Sequence, residues 1–196
     1  MKLANFGRIA GALALSIGLS GCFDMTTDVW ITSETEGKAT VTQVMGAEIY
    51  GMVKSAGDGA TSEPFCKEAG QTLTENADGS GTCVIISEGA FDTLKFDDGG
   101  SKPVFTVVSP GVVRAAVATK DMVGELGKGD EETQAMMKQM FEGRNLTIRF
   151  GGKAVTDTNM TLNADGTYAE IVIPFLDLIN GTAVLPDELY AVIDTN

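Results

Sequence analysis

The sequence predicts an α+β fold: an antiparallel sheet built from several hairpins, with two or more helices packed on it. Three observations carry this. Tight-turn signals recur between short β-branched runs, two amphipathic helical patterns lie between the hairpins, and no low-complexity linker divides the 196-residue chain. Strands that meet as hairpins, with helices inserted between them, pack as a sheet covered by helices.

The amino terminus stands apart from that fold. Lys2 and Arg8 form a short basic head, and the apolar run Ile9 to Leu19 follows it, as in an export signal. The run is shorter than the roughly 20 apolar residues a helix needs to span a bilayer. It ends in Leu19-Ser20-Gly21-Cys22, which resembles the lipobox of bacterial lipoproteins. That resemblance implies a leader over residues 1–21, cleavage, and acyl chains on Cys22, so the domain 22–196 would be anchored to a membrane through Cys22 without spanning one. Several acyl chains hold a protein stably where one does not. Phe23 follows the cysteine where an inner-membrane retention signal has Asp, so the resemblance favours a periplasm-facing lipoprotein of the outer membrane over the inner, with Asp24 one place later arguing the other way.

Along the domain, Trp30-Ile31-Thr32 runs through "SETEGK" into Ala39 to Thr42, the first hairpin. In "MGAEIYGMVK", Met45, Ile49, Met52 and Val53 recur on one face of a helix. Leu73 to Asn76 then passes through Asp78-Gly79 into Thr82 to Ile86, and Thr161-Leu162 passes through Asp165-Gly166 into Tyr168 to Ile173. Asp-Gly supplies the positive φ of a tight hairpin. Both copies of "NADG" are read as turns, because neither has the acidic spacing or closing Glu of a calcium loop. Val104 to Val108, Ser109-Pro110-Gly111 and Val112 to Ala118 make a further hairpin. "FDDGGSKP" and the stretch Gly124 to Gly129 are loops.

The second helix is predicted over "DEETQAMMKQMFEG": Asp130 as N-cap, Glu131 and Glu132 where the helix dipole favours acid, and Gly143 as the stop. Its apolar face is Met136, Met137, Met140 and Phe141. Five of the nine methionines thus lie on the two helices. Methionine lines adaptable apolar surfaces. Met45, Met52, Met136, Met137, Met140 and Phe141 are therefore a candidate face for a lipid or a hydrophobic protein segment, and core packing is the simpler use of the same residues.

Cys66 and Cys83 form an even pair in an exported chain, which predicts a disulfide; closing a loop of that order is worth about 3 kcal/mol in the chain-entropy model. A zinc site is the rival reading, against which stand the spacing and the lack of histidine.

Composition excludes several functions. The chain has no histidine and a net charge of −13, made more negative when Lys2 and Arg8 leave with the leader. Triad-type nucleophile activation and imidazole metal sites are gone, and so acidic a surface repels nucleic acid. No cofactor is expected. Gly37-Lys38, Gly127-Lys128 and Gly152-Lys153 lack the spacing of a phosphate loop and read as turns. A non-catalytic binding or structural module is the first reading. Its competitor is a carboxylate-only hydrolase acting on glycans through a pair such as Asp97-Asp98 or Glu131-Glu132, since such chemistry needs two carboxyls facing one sugar.

Finally, a lipobox cysteine, a first hairpin, an inserted helix and then "LTIRFGGKAVTDTNMTLNADGTY" resemble the LppM-type lipoprotein domain family. The matching stretch is Phe150-Gly151-Gly152-Lys153 with Asn159 after the second strand, and Gly151 stands where that family is expected to have proline. The resemblance implies an exported α+β domain that contacts lipid or another apolar ligand and has no catalytic residues.

Overall fold

The computed structural model describes residues 23–56, 65–66, 69–96, 102–120, 122 and 131–196. Its elements in chain order are β1 Phe23–Ile31, β2 Glu36–Met45, α1 Ala47–Ala56, β3 Gln71–Glu75, β4 Gly81–Ala90, β5 Val104–Ser109, β6 Val112–Ala118, α2 Glu131–Met140, β7 Asn145–Gly151, β8 Ala154–Thr158, β9 Thr161–Leu162, β10 Tyr168–Pro174, α3 Phe175–Asn180 and β11 Glu188–Asp194.

All four predicted hairpins form. β1 and β2 pair antiparallel from Phe23↔Met45 to Ile31↔Gly37, and β3–β4, β5–β6 and β9–β10 also pair antiparallel. The two "NADG" segments are turns of one design. Gly79 and Gly166 adopt φ 86° and 67°, in the left-handed region, and their N–H groups donate to the carbonyls of Asn76 (3.0 Å) and Asn163 (3.1 Å). In the first, Asp78 Oδ1 accepts from the Ser80 N–H at 2.9 Å; in the second, Asn163 Oδ1 accepts from the N–H groups of Thr167 and Tyr168 at 2.8 and 2.9 Å.

The strands do not make one sheet, as the hairpin pattern led us to expect, but two. A seven-stranded sheet runs β3-β4-β2-β1-β7-β10-β9 and a four-stranded sheet runs β5-β6-β11-β8. They face each other across a common core: Val29, Ile31, Ile148, Phe150, Ala169 and Ile173 on one side, Val113, Ala115, Val117, Val155, Leu189, Ala191 and Ile193 on the other. Each set comes from alternate positions of its strands, the period that buries one face. One pair, β1 with β7, is parallel, so the larger sheet is mixed.

The chain passes between sheets at Gly151-Gly152-Lys153, since β7 belongs to the larger sheet and β8 to the smaller. Gly152 has no room for a side chain there. A Cβ would come within 2.5 Å of the Ile193 Cγ2 and 2.9 Å of the Ile31 carbonyl oxygen. Asn159 then fixes β11, donating from Nδ2 to the Glu188 carbonyl at 2.8 Å and accepting from the Tyr190 N–H at 2.9 Å.

The first helix starts later than its apolar spacing implied. Met45 ends β2 opposite Phe23, and the helical hydrogen bonding begins when the Tyr50 N–H reaches the Gly46 carbonyl at 2.9 Å. Helix α3 follows Pro174 and stops at Gly181, whose φ of 66° makes it the left-handed cap. Among the described residues no helix is long and apolar enough to cross a membrane.

Candidate functional site

One end of the larger sheet gathers the features that bear on function. β1 starts there at Phe23, β2 ends there at Met45, β7 starts at Asn145 and β10 ends at Pro174, as the strand registers require. α2 arrives at this end and α3 leaves from it. Gly143, φ 70°, turns the chain out of α2 as predicted, and the Arg144 N–H donates back to the Phe141 carbonyl at 3.1 Å.

The aromatic residues of these elements converge. Phe141 meets Phe23 edge to face at 6.3 Å between centroids and lies 4.7 Å from Phe175. Such pairs add roughly 0.5–1.5 kcal/mol beyond the area they bury. The start of β1 is also held by charge. The Asp24 carboxylate accepts from the Asn145 N–H at 2.8 Å and pairs with the Arg144 guanidinium, while the Phe175 N–H donates to the Arg144 carbonyl at 3.0 Å. The second residue of β1 is thereby fastened to Asn145 of β7 and to Arg144, whose carbonyl in turn holds the start of α3.

The six residues of the expected ligand face separate. Phe141 packs against the core, and Met45 lies half-buried across from Phe23. Met137 and Met140 are half-buried on α2, whereas Met136 and Met52 are exposed, at 58% and 52%. Met137, Met140 and Phe141 make an i, i+3, i+4 stripe of partly buried residues, of which Phe141 meets the core; Met136 falls outside it. On α1 the anchor is Tyr50 rather than a methionine. Its ring is buried over Gly81, where a Cβ would come within 2.6 Å of Cδ2, and it meets Phe65 edge to face at 6.1 Å. Tyr50 Oη donates to Glu75 Oε1 at 3.0 Å, and Lys54 Nζ donates to the same carboxylate at 2.7 and 2.9 Å. The Lys54 and Tyr50 hydrogen bonds hold Glu75 below the usual carboxylate range. A tyrosine two residues from a methionine in a helical pattern is a signal that counting apolar spacing alone passes over.

Cys66 and Cys83 form a disulfide that closes a separation of 17 residues. Cys83 is fully buried on β4, and Cys66 takes a positive φ of 60° to reach it. Cys22, the leader 1–21, Asp97-Asp98, Asp130, the loop Gly124 to Gly129 and the Gly127-Lys128 pair lie outside the described residues. Of the Glu131-Glu132 pair, the Glu132 side chain is exposed on the first turn of α2.

No known protein-family profile matches this chain, and no curated protein matches it. A solved structure does. The chain is similar to the NMR structure of the folded domain of the Mycobacterium tuberculosis LppM protein, with a TM-score of 0.50 at 10% identity, over 89% of this chain and 91% of that one. The likeness is one of fold: two chains with little sequence in common arrange their strands and helices in the same way.

Proposed function

We propose that this chain is an exported lipoprotein, held at a membrane by acyl chains on Cys22 and serving there as a non-catalytic, periplasm-facing module, on the outer membrane in preference to the inner. The observation that carries this reading is the place that Phe23, the residue after Cys22, takes in the fold. Phe23 is already paired in β1 opposite Met45, and with Asp24 it sits in the clasp of Phe141, Phe175, Asn145 and Arg144. An anchor on Cys22 would therefore set the aromatic end of the domain directly against the bilayer surface. Asp24 has structural work in this clasp, which supports reading it as part of the fold and not as a sorting signal.

At that end the half-buried Met137 and Met140 and the exposed Met136 offer soft apolar surface. A lipid acyl chain, or the apolar segment of a protein partner, is the ligand class they suit. The fold shared with the LppM domain agrees with the resemblance read from the lipobox and the Gly-Gly-Lys corner.

The test is Cys22→Ser in the producing cell. Radiolabelled palmitate should no longer enter the protein, and the chain should leave the membrane fraction. Labelling that persists in the mutant would end the reading.

A further inference from the structure

The larger sheet has a second face. Val29 and Ile31 enter the core, so Asp28 and Trp30 of β1 point to the opposite side. The described helices all serve the inner side: α3 through Phe175 and Leu178, α2 through the adjoining Phe141, and α1 through Tyr50 over Gly81. On the outer side Trp30 is 39% exposed although it sits on a central strand, and Val172 on β10 and Ile86 on β4 are about half exposed.

The registers set six groups in two adjacent rows. Tyr168, Gly151 and Trp30 stand side by side across β10, β7 and β1, and Glu170, Arg149 and Asp28 form the next row. Gly151 shapes the first row. A Cβ at this position would lie 2.9 Å from Cε3 and Cζ3 of Trp30 and 2.9 Å from the Tyr168 Cβ. The six-membered ring of Trp30 thus occupies the space above the neighbouring strand, which lies about 4.8 Å away. It lies along the sheet instead of standing out from it, with backbone beneath and solvent above.

The second row is polar and planar. Arg149 Nε donates to Glu170 Oε2 at 2.7 Å, and the guanidinium carbon is 5.6 Å from the centre of the Tyr168 ring. The Asp28 carboxylate makes no hydrogen bond to any described residue. Burial raises its pKa, with the Arg149 charge opposing, so it is a partly desolvated acceptor that the fold itself leaves unused.

We propose that this face binds a neutral saccharide, whose ring stacks on Trp30 while its hydroxyls bond to Asp28, Arg149 and Glu170. A pyranose has an apolar C–H face and a rim of hydroxyls that both donate and accept, and the two rows offer an aromatic surface with donors and acceptors beside it. Other occupants fit less well. An apolar ligand would strand the charged row, an anionic polymer meets two carboxylates on a chain of charge −13, and a quaternary ammonium would lie next to Arg149. This goes beyond the anchored-module reading and does not depend on it. Trp30 lies about 23 Å along β1 from Phe23 at the rise of an extended strand, so the face and the anchored end would not compete.

Trp30 is the one tryptophan of the chain, so its emission reports on this face alone. The full-length protein, purified in a detergent without a sugar headgroup, is titrated with cellotetraose, chitotetraose and mannotetraose to roughly 10 mM, ten times a millimolar dissociation constant. At least one should shift or quench the emission saturably, and calorimetry should show the binding weakened at least tenfold in Trp30→Ala. Trp30→Phe, which keeps a ring over Gly151, covers the case in which Trp30→Ala fails to fold; by calorimetry it should bind several-fold more weakly than the native chain. Silence of the emission with all three sugars would overturn the proposal. So would native affinity in Trp30→Phe and a folded Trp30→Ala, or an anionic oligosaccharide bound more tightly than the neutral ones.

Discussion

Asp28 is held in a conflict that a single substitution can expose. Burial raises its pKa above 3.8, so the folded chain grips this proton more tightly than the unfolded chain does. By linkage its contribution to stability is fully present below that ordinary value and is lost as pH rises through the folded pKa. At neutral pH, well above that ordinary value, burying this group is a net cost. Asp28→Asn should therefore raise the melting temperature at pH 7 and bring no comparable gain at pH 3, with Arg149 still paired to Glu170. A fall at pH 7 would mean that Arg149 needs Asp28 more than burial penalises it. A carboxylate kept at a cost is what a ligand-binding group looks like. Gly151 is informative in the same way: read as part of a Gly-Lys turn, it proves to be a seat for an aromatic ring on the next strand. Nothing in the sequence near Gly151 points to Trp30, because only the β1–β7 register brings them together.

At the scale of elements, what could be read from the chain is what short-range chemistry dictates. Asp78-Gly79 and Asp165-Gly166 announce their turns because few residues adopt positive φ, and each turn fixes which strands pair. Which hairpins then share a sheet is decided by inward-facing residues far apart in sequence, so the division into two sheets and the parallel β1–β7 pair were not legible. The glycines of the Gly151-Gly152 corner were visible as a turn, but not as a crossing between sheets. For α1 and α2, apolar spacing located the helices and misjudged their seats, since a methionine stripe does not say which of its members meets the core. Met52 and Met136 stayed outside. The cysteine pair was legible through compartment chemistry, and it carries an element-scale prediction. The disulfide ties the segment at Cys66 to the buried Cys83 near the start of β4, across a separation of 17 residues, so its reduction should cost about 3 kcal/mol and lower the melting temperature by roughly 6–12 °C for a chain of this size. Calorimetry with and without reductant checks this, and an unchanged transition would show that the loop holds without its bond.

For the whole molecule the governing quantity is charge. With 27 acidic against 14 basic residues, one-to-one pairing leaves at least 27 − 14 = 13 carboxylates without a cation. Among the described residues the ion pairs Arg144–Asp24, Arg149–Glu170, Arg114–Glu188 and Lys54–Glu75 draw on four of the cations. All four are at least partly exposed, and pairs of that kind are worth about 0–1 kcal/mol each. The unpaired excess repels itself over distances comparable to the domain at low salt, where the Debye length is about 30 Å at 0.01 M, and much less at 0.15 M, where it is about 8 Å. Self-repulsion acts on the compact state more than on the expanded one. Adding sodium chloride from about 0.01 M to about 0.15 M should thus raise the melting temperature, with most of the gain in the first part of that range. The opposite slope, a chain that salt destabilises, would mean that the four pairs outweigh the excess, and that the acidic surface is arranged to keep like charges apart.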